Sequence, residues 1–312
     1  MEEKRMIVAN FNVVFGTKEE PLLKYFDTIM LPALKSEFIR KKGDSEYVFL
    51  NISVTEVDKD DFVLTGIIVR ETAIEIKSKF ANGNLISTDE LHPTAPYSLF
   101  VIFLKNHRMV LVKNQKGSPD LRSFSATVKY FFKTFIRSEN AKRKKLKMEL
   151  LPYPTINIVG IPIKSSIEEA LRKVAKINKL RLRFYPLNGD LDFSGLFEGM
   201  TTDLRKTVGS KTGFIDLNTP TSTDGIIKVL TAAQGTVNPI FSVTYPDKKT
   251  GTIKNKEISE SMNVAIETTN SIPEVIQDIV NKSKGLESIT SITESNQKIY
   301  NEHLPLIKDN IK

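Results

Sequence analysis

The sequence predicts an α+β protein of mixed or antiparallel sheets with flanking helices, arranged as two α/β subdomains. Three observations predict it. Short apolar-alternating segments bounded by Gly, Pro and Asn recur along the chain. Amphipathic stretches of helical period lie among them. A polar, basic stretch interrupts the pattern midway through 312 residues, a length that can bury two cores.

Arg5 to Phe15 reads as a strand ending at Gly16, and Glu19 to Arg40 as a helix pair kinked at Pro32. Tyr47 to Val57, Phe62 to Val69 and Thr72 to Phe80 read as consecutive strands, followed by a polar loop through Asn82-Gly83-Asn84 and His92-Pro93. Pro96 to Leu104 and Met109 to Lys113 form a hairpin turned at Asn106-His107. Ser118-Pro119-Asp120 opens a helix with a hydroxyl cap, proline in the first turn and a carboxylate at the positive dipole end; it runs to about Arg137.

Beyond Ser138, the expected organisation is a first domain over 1–140, a basic linker over 141–147, a second α+β domain over 148–285 and a loosely attached polar tail over 286–312. The second domain reads as strands at Met148 to Leu151 and Thr155 to Val159, then a helix with Ser166 and Glu169 as a capping box. A strand over Leu180 to Leu187 and helices near Gly195 to Val208 and Asp224 to Gln234 follow. A hairpin around Asp247 to Gly251, a strand from Met262 to Glu267 and a helix starting at Ser271-Ile272-Pro273-Glu274 complete it.

Composition excludes some chemistry. Without cysteine there are no disulfides, thiolate nucleophiles or zinc-thiolate sites. The longest apolar run, Ser98 to Leu104, is too short to span a bilayer, and the charged Met1-Glu2-Glu3-Lys4-Arg5 start is not a secretory signal, so a cytoplasmic protein is expected. No cofactor is expected.

Charge distribution says more than the total of +8. Residues 1–100 hold 12 Lys/Arg against 16 Asp/Glu, and residues 148–312 hold 20 against 19. Residues 101–147 hold 13 against 2, so the net values −4, +11 and +1 recover the total. Spaced 7, 4 and 4 on the helix, Arg122, Lys129, Lys133 and Arg137 form one stripe, opposite Phe124, Val128, Phe131 and Phe132. Lys142, Arg143, Lys144, Lys145 and Lys147 continue it, and Lys105, Arg108, Lys113 and Lys116 precede it. No carboxylate at i±4 offsets this repulsion, a pattern that fits phosphate binding better than a solvated face. A membrane-surface role needs exposed apolar residues beside the charges, but the aromatics lie opposite. A second patch gathers Arg172, Lys173, Lys176, Lys179, Arg181 and Arg183, whose alternative role is a protein contact facing the acidic residues 1–100. No zinc finger, basic zipper or RNA-recognition motif is present, so phosphate contacts to DNA, or to RNA, with little sequence preference are expected.

The strongest enzymatic alternative is a metal-dependent nuclease using Asp61, Glu75 and Lys77, though a tight hairpin turning near Glu71 keeps the two carboxylates over about 20 Å apart. The other alternative is a basic protein-protein interaction module. Asp190-Leu191-Asp192, with Glu198 and Asp203, reads first as a turn, and Gly209-Ser210-Lys211-Thr212 lacks phosphate-loop spacing. His92, His107 and His303 read as surface residues.

The order of elements over roughly residues 45–285 resembles the RexA-like family of lambdoid phage exclusion proteins. The likeness is carried by Tyr47 to Lys79 and by Pro96 to Val101 leading into a hairpin. It extends through Gly117 to Leu121 at a helix start, Lys147 to Leu151 before Pro152, Ser165 to Tyr185, and the turn at Lys249-Thr250-Gly251. The resemblance implies a homodimeric, largely sequence-indifferent DNA-binding component of bacterial antiviral defence, acting with a membrane effector. It supplies no catalytic residues.

Overall fold

A computed structural model describes residues 2–188, 203–267 and 271–311. The chain opens with β1 (Glu2–Phe15), β2 (Glu20–Pro21), a 3₁₀ turn, a π turn and α1 (Leu31–Lys35). Five strands come next: β3 (Arg40–Lys42), β4 (Ser45–Asp58), β5 (Asp61–Ala81), β6 (Asn84–Thr94) and β7 (Tyr97–Phe103). β8 (Arg108–Lys113), α2 (Leu121–Lys145), β9 (Pro154–Gly160), α3 (Lys164–Arg172) and β10 (Lys176–Phe184) follow. Then come α4 (Arg205–Thr207), β11 (Gly213–Asn218), α5 (Thr223–Ala232), β12 (Val237–Thr244) and β13 (Thr250–Lys254). The chain closes with β14 (Ser261–Ile266), α6 (Ile272–Ser283), α7 (Glu287–Thr290) and α8 (Glu294–Asp309).

The α+β expectation holds, and both sheets are antiparallel. Ten strands form the first, ordered β14-β1-β8-β7-β5-β4-β3, with β2 and β9 also on β1 and β6 on β5. It curls into a half-barrel. Four strands ordered β11-β10-β12-β13 form the second.

The large sheet is covered on both faces, which explains why Ser98 to Leu104 is buried without alternation. One face carries an aromatic core in which Phe11, Phe15, Phe49 and Phe100 meet Phe124, Phe131 and Phe132 of α2. The other packs Val8, Val63, Val101 and Val110 against Val275, Ile279 and Val280 of α6. A third core joins the small sheet to α3 and α5 through Ile167, Leu180, Phe241 and Leu230.

Several expected boundaries move. β9 and β14, assigned by sequence to a second domain, pair with β1 along Ala9–Phe15 and Glu2–Ile7, so the large sheet draws on both halves of the chain. The stretch expected as a linker is helical through Lys145, because Asn140 ties the helix to the returning chain: its side chain bonds the Leu151 carbonyl at 2.9 Å and amide at 2.7 Å. That return, Met148 to Leu151, is irregular and not a strand. The tail is packed as well. Tyr300 and Ile307 lie one heptad apart on a buried face of α8, and the Tyr300 hydroxyl accepts from the Phe62 amide (3.1 Å) and donates to the Asp60 carbonyl (3.0 Å).

Local signals also shift. Ser118 accepts from the Gln115 amide, while Asp120 is the cap of α2, its Oδ1 taking the Ser123 amide at 2.8 Å. The Ser166–Glu169 box does not form, because α3 begins at Lys164 and Glu169 instead pairs with Lys173 at 2.9 Å. The Ser271–Glu274 box does form. In place of a helix pair, Leu22–Tyr25 is a 3₁₀ turn and Phe26–Met30 a π turn, running into α1, where Pro32 cannot donate to the helical ladder. Of the helix expected near Gly195 to Val208, only the turn at Arg205–Thr207 falls within the described residues; Asp190, Asp192 and Glu198 lie outside them.

Candidate nucleic-acid interface

The aromatic core fixes how α2 is rolled. Phe124 packs on Phe100 with ring centroids 5.0 Å apart and Phe131 on Phe49 at 4.9 Å, so rotation of the helix breaks several buried ring contacts at once. Arg122, Lys129, Lys133 and Arg137 are therefore held outward, and all four are exposed. Near the helix end Lys142 pairs with Glu139 at 2.7 Å and Arg143 donates to the Glu149 carbonyl at 3.1 Å, leaving Lys144, Lys145 and Lys147 exposed.

A cleft of about 640 Å³ opens beside the first turns of α2. Its floor is the outer edge of β9 (Asn157 to Gly160), and its far wall is Tyr185, Asn238 and Ile240 with the Lys254-Asn255-Lys256 turn. Six cations line it: Arg5, Lys113, Arg122, Lys129, Lys254 and Lys256. Among the described residues the single lining carboxylate is Asp120, and it is engaged as the helix cap. Arg5 and Lys113 are direct cross-strand partners on β1 and β8, a like-charge pair that a sheet otherwise disfavours.

Two details define the electrostatics of the cleft. Although the Lys129 side chain reaches solvent, neighbouring protein removes part of its ammonium's hydration and lowers its pKa, and the positive charges of Arg183 and Lys133 push the same way. The charge of Arg183 on the small sheet is thus felt at the α2 stripe. Asn157 lines the floor, is 4% exposed, and its Nδ2 has no hydrogen-bond partner among the described residues. A buried amide donor left open in this way is costly unless something accepts from it.

The seam between the sheets holds the cleft's shape. Asn255 donates to the Gly160 carbonyl at 2.9 Å, and Ser259 donates to the Asn255 carbonyl at 2.6 Å. A side chain at Gly160 is excluded, because its Cβ falls 2.3 Å from the Ser259 hydroxyl.

The other expected residues scatter. Arg108 is buried and bonds the Gln234 carbonyl (3.0 Å) and side chain (2.8 Å), making it a structural tie between β8 and the end of α5. Lys105 sits by the Tyr300 ring, 6.0 Å from its centroid, at the opposite end of the β7–β8 hairpin, and Lys116 is exposed in the loop before α2. On the small sheet, Arg181 forms a two-pronged pair with Asp216 at 2.7 Å per contact, and Lys179 joins at 3.2 Å, holding the Asp216 carboxyl far below its usual range. Arg172 and Lys176 are exposed and away from the cleft wall, while Lys173 is paired with Glu169.

The nuclease constellation does not assemble. Asp61 and Glu75 lie on the same continuous strand, β5, fourteen residues and roughly 45 Å apart along it. Glu75 pairs with its neighbour Lys77 at 2.9 Å, and burial raises the Asp61 pKa. No group of three or more metal-ligating side chains occurs among the described residues. Of the histidines expected at the surface, His107 is buried, whereas His92 is exposed beside Glu90.

Residues 4–229 match the family described as a domain of unknown function, DUF4747. The chain belongs to the DUF4747 family. A search of curated proteins gave no match. The DUF4747 span runs from β1 into α5, so Arg5, Lys113, Arg122, Lys129 and Arg183 lie inside it and Lys254 and Lys256 beyond it. Reading the sequence alone misses Arg5, Lys254, Lys256 and Asn157. The first three had a weak local signal as basic residues at strand ends, and Asn157 had none, since its exposure to the cleft depends on pairing between β9 and β1.

Proposed function

We propose that this DUF4747 protein binds nucleic acid by its phosphate backbone, along the α2 stripe and into the cleft beside it. The observation that carries this reading is the cleft lining: among the described residues, six cations against one carboxylate already committed to a helix cap. Holding those charges together costs free energy in the unbound protein, and a polyanion reverses the sign of that cost. Arg122, Lys129, Lys133 and Arg137 follow the backbone, Arg5 and Lys113 meet it from the large sheet, and Lys254, Lys256 and Arg183 close on it from the small-sheet side. Contacts of this kind carry little sequence preference. DNA is the proposed ligand, and RNA is the comparison in the test.

The RexA-like order of elements extends the proposal: a cytoplasmic, homodimeric component of an anti-phage defence, neither an enzyme nor cofactor-dependent, that passes the binding event to a membrane effector. A gel-shift titration with duplex DNA, single-stranded DNA and RNA at two salt concentrations tests the core of it. Binding that weakens steeply with salt supports the reading. Salt-sensitive binding to acidic proteins with none to nucleic acid replaces it with an interaction module, and Mg²⁺-dependent cleavage lost on Glu75→Ala replaces it with the nuclease.

A further inference from the structure

The chain that leaves α2 is pinned at both ends. Lys147, with φ of 57°, takes the left-handed place that closes the helix: its amide bonds the Lys144 carbonyl at 3.3 Å, and the amide of Met148 bonds the Arg143 carbonyl at 3.0 Å. Beyond the loop, Leu151 is buried and held by Asn140, and the Tyr153 carbonyl accepts from the Gly16 amide at 3.0 Å. Residues 144–150 are thus fixed in place, and all of them are exposed.

Their side chains are not those of a solvated loop. Leu146, Met148 and Leu150 alternate with Lys145, Lys147 and Glu149, and Leu146 is 69% and Met148 51% exposed; Tyr153 is exposed as well. In a helix-closing turn of this type the residue at the place of Met148 commonly packs back on an apolar side chain of the last helical turn. Here that turn is Lys142-Arg143-Lys144-Lys145, and Met148 stays in solvent. Residues 142–153 hold five Lys/Arg against one carboxylate, Glu149, a net +4.

We propose that the end of α2 and the loop after it, residues 142–153, form a docking surface for an anionic phospholipid bilayer. Charge complementarity and the apolar row together select this occupant. Lys144, Lys145 and Lys147 meet the anionic headgroups, Leu146, Met148 and Leu150 enter the acyl boundary beneath them, and the ring of Tyr153 suits the interface. A nucleic-acid backbone engages the same cations but leaves Leu146 and Met148 in water. Along the α2 stripe the aromatics face the core, whereas past the helix end exposed apolar residues stand beside the cations, which is what a membrane surface requires. None of residues 142–153 lines the cleft, and the seventeen residues from Lys129 to Leu146, at about 1.5 Å each, set the two surfaces roughly 25 Å apart along the helix. The inference therefore stands apart from nucleic-acid binding.

Co-sedimentation of the full chain with phosphatidylcholine vesicles, with and without phosphatidylserine, tests it. The protein is expected to partition onto the vesicles that contain phosphatidylserine and to come off them as salt rises. Lys144→Gln with Lys145→Gln and Lys147→Gln is expected to weaken partitioning about 100-fold, at about fivefold per lysine. Leu146→Ser with Met148→Ser is expected to weaken it roughly tenfold, while duplex affinity and the urea midpoint stay unchanged. No partitioning of the unaltered protein onto phosphatidylserine vesicles overturns the proposal. Partitioning that survives the Leu146 and Met148 changes overturns it by assigning the attraction to charge alone, and weaker duplex binding by that variant overturns it in favour of a nucleic-acid surface.

Discussion

Replacing Arg122 and Lys129 together by glutamine probes the cleft most directly. Both side chains project from a helix whose orientation is fixed by buried rings on its other face, so their loss leaves the fold in place. The six lining cations contribute about −5.4 to the log-log salt slope, at about 0.9 per phosphate contact, on top of what Lys133, Arg137 and Arg183 add. Between roughly 50 and 200 mM salt those six alone account for a loss of about 2,000-fold in affinity. The variant keeps four of them, so its slope is shallower by about 1.8 and its loss over the same interval is about 12-fold smaller. Fluorescence anisotropy with a labelled duplex at three salt concentrations measures both slopes. Arg181→Gln is the matched control: its guanidinium is already held by Asp216, so its slope stays that of the unaltered protein. Equal slopes for the double variant and the unaltered protein refute the assignment of the cleft.

Three further outcomes follow from the same geometry. The folded protein holds the Lys129 proton less tightly than the unfolded chain does, so the associated destabilisation is present below the lowered pKa and fades as pH rises through it toward 10.5. A bound phosphate favours the charged form, so affinity falls as pH rises through that window, and Lys129→Arg, which stays charged, flattens this dependence in an anisotropy titration. Arg108→Ala strands the Gln234 carbonyl and side chain, lowering unfolding free energy by about 2 kcal/mol in urea titration while leaving the salt slope unchanged. Tyr300→Phe leaves the buried Phe62 amide without its acceptor and lowers stability by about 1–3 kcal/mol; no change in the urea midpoint would mean that α8 is detached in solution.

How much of this was legible in the sequence depends on contact range. The roll of α2 was readable because its period is local, and the β7–β8 hairpin because its partners are neighbours in the chain. The pairing of β1 with β9 and β14 was not: alternation marks a strand without naming its partner, and these partners are about 150 and 260 residues away. β5 was misread as two strands because apolar Gly66 to Val69 gives way to polar Arg70-Glu71-Thr72. That change marks the point where the strand leaves the core for solvent, and the three residues include no Gly, Pro or Asn to turn the chain. The true turn, Asn82-Gly83, carried the stronger hairpin signal, and β6 lay in what read as a loop.

The two basic patches separate structural charge from available charge. On the small sheet, Arg181 and Lys179 meet Asp216 across the β10–β11 pairing, a carboxylate invisible to a reading of residues 170–187 but placed opposite Arg181 by register. Repulsion there is resolved within the fold. In the cleft it is left standing: Arg5 faces Lys113 across two strands, and the Lys129 pKa is lowered by partial loss of hydration and by the charges of Arg183 and Lys133. A surface that needed only solubility has the Asp216 solution open to it, at the cost of one carboxylate. Among the described residues the cleft has one carboxylate too, Asp120, and it is engaged by the Ser123 amide at the helix start. On the proposed reading, the cleft's positive charge remains for a ligand that brings its own negative charge.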